Sequence, residues 1–191
     1  MYIFIINLGV TDVNSISIKN VSSDFDFLKI ETFLKLYHQQ KNMSTIRITK
    51  QFNFETGHAL YGYDGKCKNV HGHSYKLSVT VSGKPIKDNT NVKFGMVIDF
   101  SDLKKIVNEE IVDVFDHATV FNKNTPHVEL AKELMDRGHD VLLVDYQPTS
   151  EMMVIDFAEK IKKRLPENIK LYAIKLQETD TSFAEWFAND N

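Results

Sequence analysis

Two histidines, His71 and His73, stand two residues apart with only Gly72 between them. At the head of a strand this spacing sends both imidazoles to one face, with their backbones roughly 6.5–7 Å apart. Both rings can then reach one point, and zinc–nitrogen bonds of about 2.0–2.1 Å let a single ion bridge them. Gly72 lets the backbone pass close to a neighbour. A third histidine, His58, follows Phe52 and Phe54 with matching parity. If that strand pairs antiparallel with one over 74–81, His58 returns to the same end of the sheet. Three imidazoles leave the fourth position of a tetrahedral zinc open, as a catalytic site requires. Neutral imidazole also suits zinc better than calcium or magnesium.

Cys67, the only cysteine, lies four residues before His71 and is flanked by Lys66 and Lys68. Beside zinc and two ammonium groups its thiolate is favoured, and a thiolate serves as base or nucleophile. Two other readings stay open at this point. The histidines can be satisfied surface or core residues, or Cys67 can be the fourth ligand of a structural zinc site. Asp116-His117 is a further pair able to hold a protonatable imidazole near neutral pH. Glu178, inside Gln177-Glu178-Thr179-Asp180, closes a strand and reads in isolation as a solvated carboxylate.

The elements that must position these groups are legible from periodicity. Ile46, Ile48, Phe52 and Phe54 alternate with polar residues, a half-buried strand in which Lys50 is the polar exception. Tyr75, Leu77, Val79 and Val81 alternate in the same way, and a turn region with Gly83 and Pro85 follows. Residues 96–98 read as a short extended piece. Leu103, Ile106, Val107, Ile111 and Val114 fall at helical spacing, with Asp99 or Ser101 as cap. Met153, Val154, Phe157, Ala158, Ile161 and Leu165 form a second stripe, capped by Thr149 or Ser150 and stopped by Pro166. Between them, 126–137 predicts a short helix ended by Gly138, and 141–144 a strand. Tyr172, Ile174, Leu176 and Glu178 share one strand face, and 183–187 pairs back after a turn. The order is strand pair, helix pair, strand pair: an α+β domain, an antiparallel sheet with two helices on one face.

The bulk properties exclude several classes. At 191 residues the chain suffices for one domain with a core, and 42% hydrophobic with 26% charged residues is ordinary for a globular protein. A formal net charge of −3 without a basic block argues against a nucleic-acid or anionic-membrane partner. No run approaches the ~20 apolar residues that cross a bilayer, and the start lacks signal-peptide features. A single cysteine suits a reducing compartment, so the cytoplasm is expected. Residues 1–42 differ in pattern from the rest. They read as an N-terminal extension, either a disordered arm or an over-extended frame with Met43 as the natural start; a short helix over 27–37 is predicted within them. Residues 43–191 form the patterned domain.

Together these residues resemble the family of 6-pyruvoyl-tetrahydropterin synthases and bacterial 6-carboxytetrahydropterin synthases. The motifs that carry the resemblance are Phe54-Glu55-Thr56-Gly57-His58, Cys67-x3-His71-Gly72-His73, Asp99-Phe100-x-Asp102-Leu103-Lys104, Asp116-His117, Pro148-Thr149-Ser150-Glu151 and Gln177-Glu178-Thr179. The resemblance implies a tunnelling fold whose subunit sheets join into an oligomeric β-barrel, a homohexamer or another homo-oligomer, with active sites between subunits. It implies Zn2+ on His58, His71 and His73. Cys67 would be the proton-abstracting thiolate and His117, oriented by Asp116, a second proton carrier. Glu178 would anchor the pterin through two parallel hydrogen bonds, and Thr149, Ser150 and Glu151 would line the pterin pocket. The short Cys-to-His gap resembles the carboxy-synthase branch, which feeds 7-deazapurine and queuosine synthesis. The implied reaction converts 7,8-dihydroneopterin triphosphate to 6-carboxy-5,6,7,8-tetrahydropterin and releases acetaldehyde and triphosphate. The stretch 122–147 is longer than is typical of the family and reads as an insertion.

Overall fold

The computed structural model describes residues 44–191 and, ahead of them, Thr32. The expectations for 1–42, including the helix over 27–37, fall outside these residues, Thr32 apart. Residues 44–191 form one compact unit.

Period-two patterning produces two long strands, β1 (Ile46–His58) and β2 (His71–Gly83). They pair antiparallel along their whole length, from Ile46 opposite Gly83 to His58 opposite His71. Strand β5 (Lys170–Thr179) adds antiparallel to β2, and β6 (Ser182–Phe187) antiparallel to β5. One face of these strands is hydrocarbon: Phe52 and Phe54 from β1, Leu77 and Val79 from β2, Ile174 and Leu176 from β5.

Helix α1 (Phe100–Val107) lies in the core cluster on this face. Asp99 caps it, accepting from the Ser101 N–H at 2.7 Å. The helix continues through a π-helical turn, Asn108–Val112, and a last α-turn, Asp113–Phe115. Helix α3 (Ser150–Lys162) joins the same cluster, capped by Thr149, and stops before Pro166. Leu103, Ile111 and Phe115 from the first helix and Met153, Phe157 and Ile161 from α3 are fully buried. Each contributes roughly 1.5–3 kcal/mol of burial. Phe54, Phe115 and Phe157 lock the layers through ring contacts at 4.9–6.3 Å.

The segment 122–147 changes the sheet. Strand β3 (Thr119–Asn122) pairs parallel with the end of β1, at Gly57 and His58. Helix α2 (His127–Asp136) then crosses over to β4 (Val141–Val144), which pairs parallel with β3. The six-stranded order is β4-β3-β1-β2-β5-β6. The sheet is therefore mixed where an antiparallel one was expected, while the short helix expected over 126–137 and the strand over 141–144 are both present beside the two helices on the core face. The physical reason lies in β3. Val120 and Phe121 are adjacent and both fully buried, so no alternation marks the strand. Parallel pairing also needs a crossover, which α2 supplies. A second small core of Ala59, Phe121 and Ala131 holds this unit together.

Residues 96–98 are not a strand. Ile86 instead exchanges backbone bonds with Gly95 and Met96, both at 2.9 Å, in a loop that uses the left-handed Gly95. No helix among the described residues is long and apolar enough to cross a membrane.

The sheet face that forms the core continues past the helices. Beyond Phe54 on β1 come Thr56 and His58, and beyond Tyr75 on β2 come His73 and His71. Thr56 donates to the Phe115 carbonyl at 2.8 Å, where the first helix ends. The site thus sits where the hydrophobic face runs out of helix cover.

Candidate active site

The register that places His58 opposite His71 brings three imidazoles together. One ring nitrogen from each of His58, His71 and His73 lies within 4.8 Å of the other two, and Cys67 is not part of this group. His58 Nδ1 is 2.7 Å from the Pro148 carbonyl, and His71 Nδ1 is 2.8 Å from the Asn69 carbonyl. A carbonyl only accepts, so each Nδ1 carries the proton and each Nε2 presents a lone pair. The two Nε2 atoms face each other at 3.1 Å. Two lone pairs at that distance repel unless a cation lies between them. The Nε2 of His73 is buried with no hydrogen-bond partner. Two inward lone pairs fixed from behind by backbone carbonyls, with the unpartnered His73 Nε2 beside them, suit a divalent ion that takes nitrogen ligands. Two nitrogens on one tetrahedral zinc sit about 3.3 Å apart, close to the separation of His58 and His71.

Electrostatics agree with this use. Burial pushes His58 below the ordinary histidine value, against the opposing pull of its bond to Pro148. Burial also lowers His73, with Glu178 opposing. Both rings are therefore neutral at pH 7, as metal ligands must be.

Glu178, at the end of β5, reaches the cluster. Its Oε1 lies 3.8 Å from His58 Nε2 and 3.7 Å from His73 Nε2. The fully buried Tyr75 donates its hydroxyl to the same oxygen at 3.1 Å. Burial first, and the Glu178 charge second, raise the Tyr75 phenol far above its usual value, so it remains a donor.

Cys67 sits in a single 3-10 turn, Lys66–Lys68, and is half-buried. Its carbonyl accepts from the Leu60 N–H at 3.0 Å. Asn69 returns to the Lys66 carbonyl through both its backbone N–H and its side-chain amide. The thiol turn and His71 are thereby tied through one residue, Asn69.

Asp116 and His117 follow the first helix and cap the opposite edge of β1. Asp116 Oδ1 accepts from the Glu55 N–H at 2.8 Å, and this bond is the main cause holding its carboxyl below the usual range. Its Oδ2 lies 3.1 Å from His117 Nδ1. His117 adopts a left-handed backbone, φ 65°, which few non-glycine residues do. Its N–H donates to the Glu55 carbonyl at 2.6 Å, and its side chain is 76% exposed. A cavity of about 280 Å³ runs between His117, Thr119, Glu55, Ser74 and His73. His117 thus borders the histidine site across the strand pair rather than joining the three rings.

At the start of α3 the predicted pocket residues diverge. Thr149 spends its hydroxyl on the Met152 N–H at 3.4 Å. Ser150 is buried, and its hydroxyl lies beside that of Tyr75, where it opposes the rise of the phenol. Glu151 is exposed in the first helical turn.

The 6-pyruvoyl tetrahydropterin synthase family model matches residues 47–189, which hold every residue of this site. The chain belongs to the 6-pyruvoyl tetrahydropterin synthase family. Among relatives, the 6-carboxy-5,6,7,8-tetrahydropterin synthase of Haemophilus influenzae is 39% identical, over 73% of this chain and 97% of its own length. Two solved structures share the fold. An uncharacterized protein of Wolinella succinogenes has a TM-score of 0.62 at 20% identity, covering 76% of this chain and 99% of its own. The Caenorhabditis elegans 6-pyruvoyl tetrahydropterin synthase has a TM-score of 0.56 at 25% identity, covering 76% and 97%. The chain has the tunnelling fold of these synthases.

Two features of this synthase-family site escaped the sequence reading. Tyr75 was legible only as a strand residue, although its parity with His71 and His73 puts it on their face. The carbonyls of Pro148 and Asn69 that orient the rings carry no side-chain signal.

Proposed function

We propose that this chain is a zinc-dependent 6-carboxy-5,6,7,8-tetrahydropterin synthase, a lyase that takes 7,8-dihydroneopterin triphosphate and water to 6-carboxytetrahydropterin, acetaldehyde and triphosphate. The observation that carries the enzyme reading is the convergence of three imidazoles, two with Nε2 lone pairs fixed inward by carbonyls behind the rings and the third with a buried, unpartnered Nε2. The choice of product is supported by the 39% identity to a carboxy-synthase and by the Cys67-x3-His71 spacing.

His58, His71 and His73 would hold the ion, which as a Lewis acid would polarise the substrate's side-chain oxygens. Cys67 stands outside the ligand group, as a base must. It accepts the proton from the acidified side-chain carbon. His117, paired with Asp116, relays a second proton across the cavity that it borders. Glu178 accepts from the pterin amino and ring N–H groups, with Tyr75 fixing its orientation. Thr149, Ser150 and Glu151 would line the pocket's helix end; of the three, only Ser150 is buried.

Assembly into a homo-oligomer, such as a homohexamer, would cover the β6 edge and the exposed Phe94, Met96 and Phe100. The product would enter 7-deazapurine and queuosine synthesis in the cytoplasm. Purified, zinc-loaded protein incubated with 7,8-dihydroneopterin triphosphate should release acetaldehyde and triphosphate in equal amounts. Triphosphate with a pyruvoyl product and no acetaldehyde would make it a pyruvoyl-synthase. Absence of any turnover would leave a pterin-binding protein.

A further inference from the structure

The loop that carries Cys67 is closed by its own backbone bonds, Leu60 to Cys67 and Asn69 to Lys66, but has no core of its own. Between Leu60 and Val70 no residue is buried. It turns at the left-handed Gly62 and passes Gly65 beneath the Tyr63 ring, where a Cβ would fall 2.5 Å from a ring carbon. Such a loop takes its position from contacts outside itself.

The insertion supplies those contacts. Gln147, its last residue, donates from Nε2 to the Tyr61 carbonyl at 2.9 Å. His127, the first residue of α2, meets the Tyr61 ring edge-on, with centroids 5.2 Å apart and planes at 85°. Behind it His127 leans on Phe121 at 5.3 Å, inside the small core that also buries Ala59. Leu60, next to Tyr61, donates to the Cys67 carbonyl. A path of direct contacts therefore runs from α2 through Tyr61 and Leu60 to the thiol residue. The neighbouring Pro148 carbonyl orients His58, so one stretch of chain contacts both the thiol loop and a ligand.

We propose that His127 and Gln147 are positioning residues that act through Tyr61 to hold the Cys67 loop at the histidine cluster. The insertion is then part of the catalytic apparatus rather than an ornament on the sheet edge. This rests on Cys67 being the base. His127 works through its ring surface, because its Nδ1 is buried with no hydrogen-bond partner.

The test compares zinc-loaded, full-length His127→Ala, Gln147→Ala and His127→Phe with the parent and with Cys67→Ala. Misplacement of a reacting group by about 1 Å can cost up to ~100-fold, so the two alanine variants should lose about tenfold in kcat. KM and zinc content should stay within about twofold, and iodoacetamide should alkylate Cys67 several-fold faster as the loop loosens. His127→Phe should keep parent kcat, since it retains the ring contacts and removes the unpaired nitrogen. A merely structural role would lower the melting temperature without changing kcat per zinc-loaded site. Should His127→Ala fail to fold, Gln147→Ala, which removes one exposed hydrogen bond, decides alone. Parent-like kcat and alkylation in the soluble alanine variants overturn the proposal while Cys67→Ala stays inactive. Turnover by Cys67→Ala overturns the role of the thiol itself.

Discussion

Replacing Tyr75 by Phe tests the hold on Glu178 directly. The substitution removes one oxygen and keeps the ring stacked on Phe54 at 5.4 Å, so the core is unchanged in shape. What is lost is the hydroxyl that donates to Glu178 Oε1 at 3.1 Å. A hydrogen bond to a charged acceptor is worth about 1.5–3 kcal/mol. Glu178 retains 26% exposure, so water recovers part of this. The loss should sit near the lower end, about 1–1.5 kcal/mol, and lower the melting temperature by roughly 3–5 °C in a domain of this size. A carboxylate released from Tyr75 regains rotamers, and if Glu178 anchors the pterin as proposed, binding must freeze them again. Refreezing costs about 0.5–1.5 kcal/mol, which is roughly a 2- to 10-fold rise in KM. In the proposed reaction the ring changes at N5 and C6, whereas Glu178 would hold the distant amino and ring N–H edge, so kcat should hold. Steady-state kinetics with 7,8-dihydroneopterin triphosphate and a thermal melt read both effects. An unchanged KM and melting temperature would mean that Tyr75 does not fix Glu178. A fall in kcat at constant KM would move Glu178 from anchoring to chemistry.

Three further outcomes follow from the same geometry. Chelation should strip the ion that reconciles the facing Nε2 atoms, lower the melting temperature and abolish turnover, with recovery on adding zinc; a melt indifferent to chelator would refute a metal on these rings. In the metal-free protein, His58 and His73 sit below the ordinary histidine value, so the unfolded chain binds more protons once the pH falls below about 6.5. Their contribution to stability is complete above that pH and is lost as the pH falls toward the lowered folded values. Urea midpoints at pH 7.5 and 5.5 should therefore drop on acidification, and equal midpoints would contradict the burial argument. Asp116→Asn keeps an oxygen for the Glu55 N–H but loses the charge beside His117. It should retain stability while kcat falls, toward the roughly 100-fold or more that one acid–base contribution supplies. Full activity would remove the pair from the mechanism.

Some of this site was open to reading along the chain because its determinants are local. Two-residue alternation from Phe52 to His58 and from His71 to Val81 fixes which face each histidine takes. The helical stripes of 103–114 and 153–165 say where cover for that face comes from. Strand β3 was invisible, since Val120 and Phe121 are both buried between a helix and neighbouring strands and show no alternation. Parallel pairing of β4 to β3 is likewise a relation between distant segments.

By itself the amino-acid sequence determined residue chemistry and face: three imidazoles, one thiol, and a carboxylate at the end of a strand. Only the tertiary structure decided which atom of each ring points inward. For His58 and His71 that choice is made by the backbone carbonyls of Pro148 and Asn69, and tertiary structure alone also joins Tyr75 to Glu178 across 103 residues of chain. A carbonyl carries no side-chain signature, and periodicity reports neighbours along a strand, not partners brought in from elsewhere in the chain.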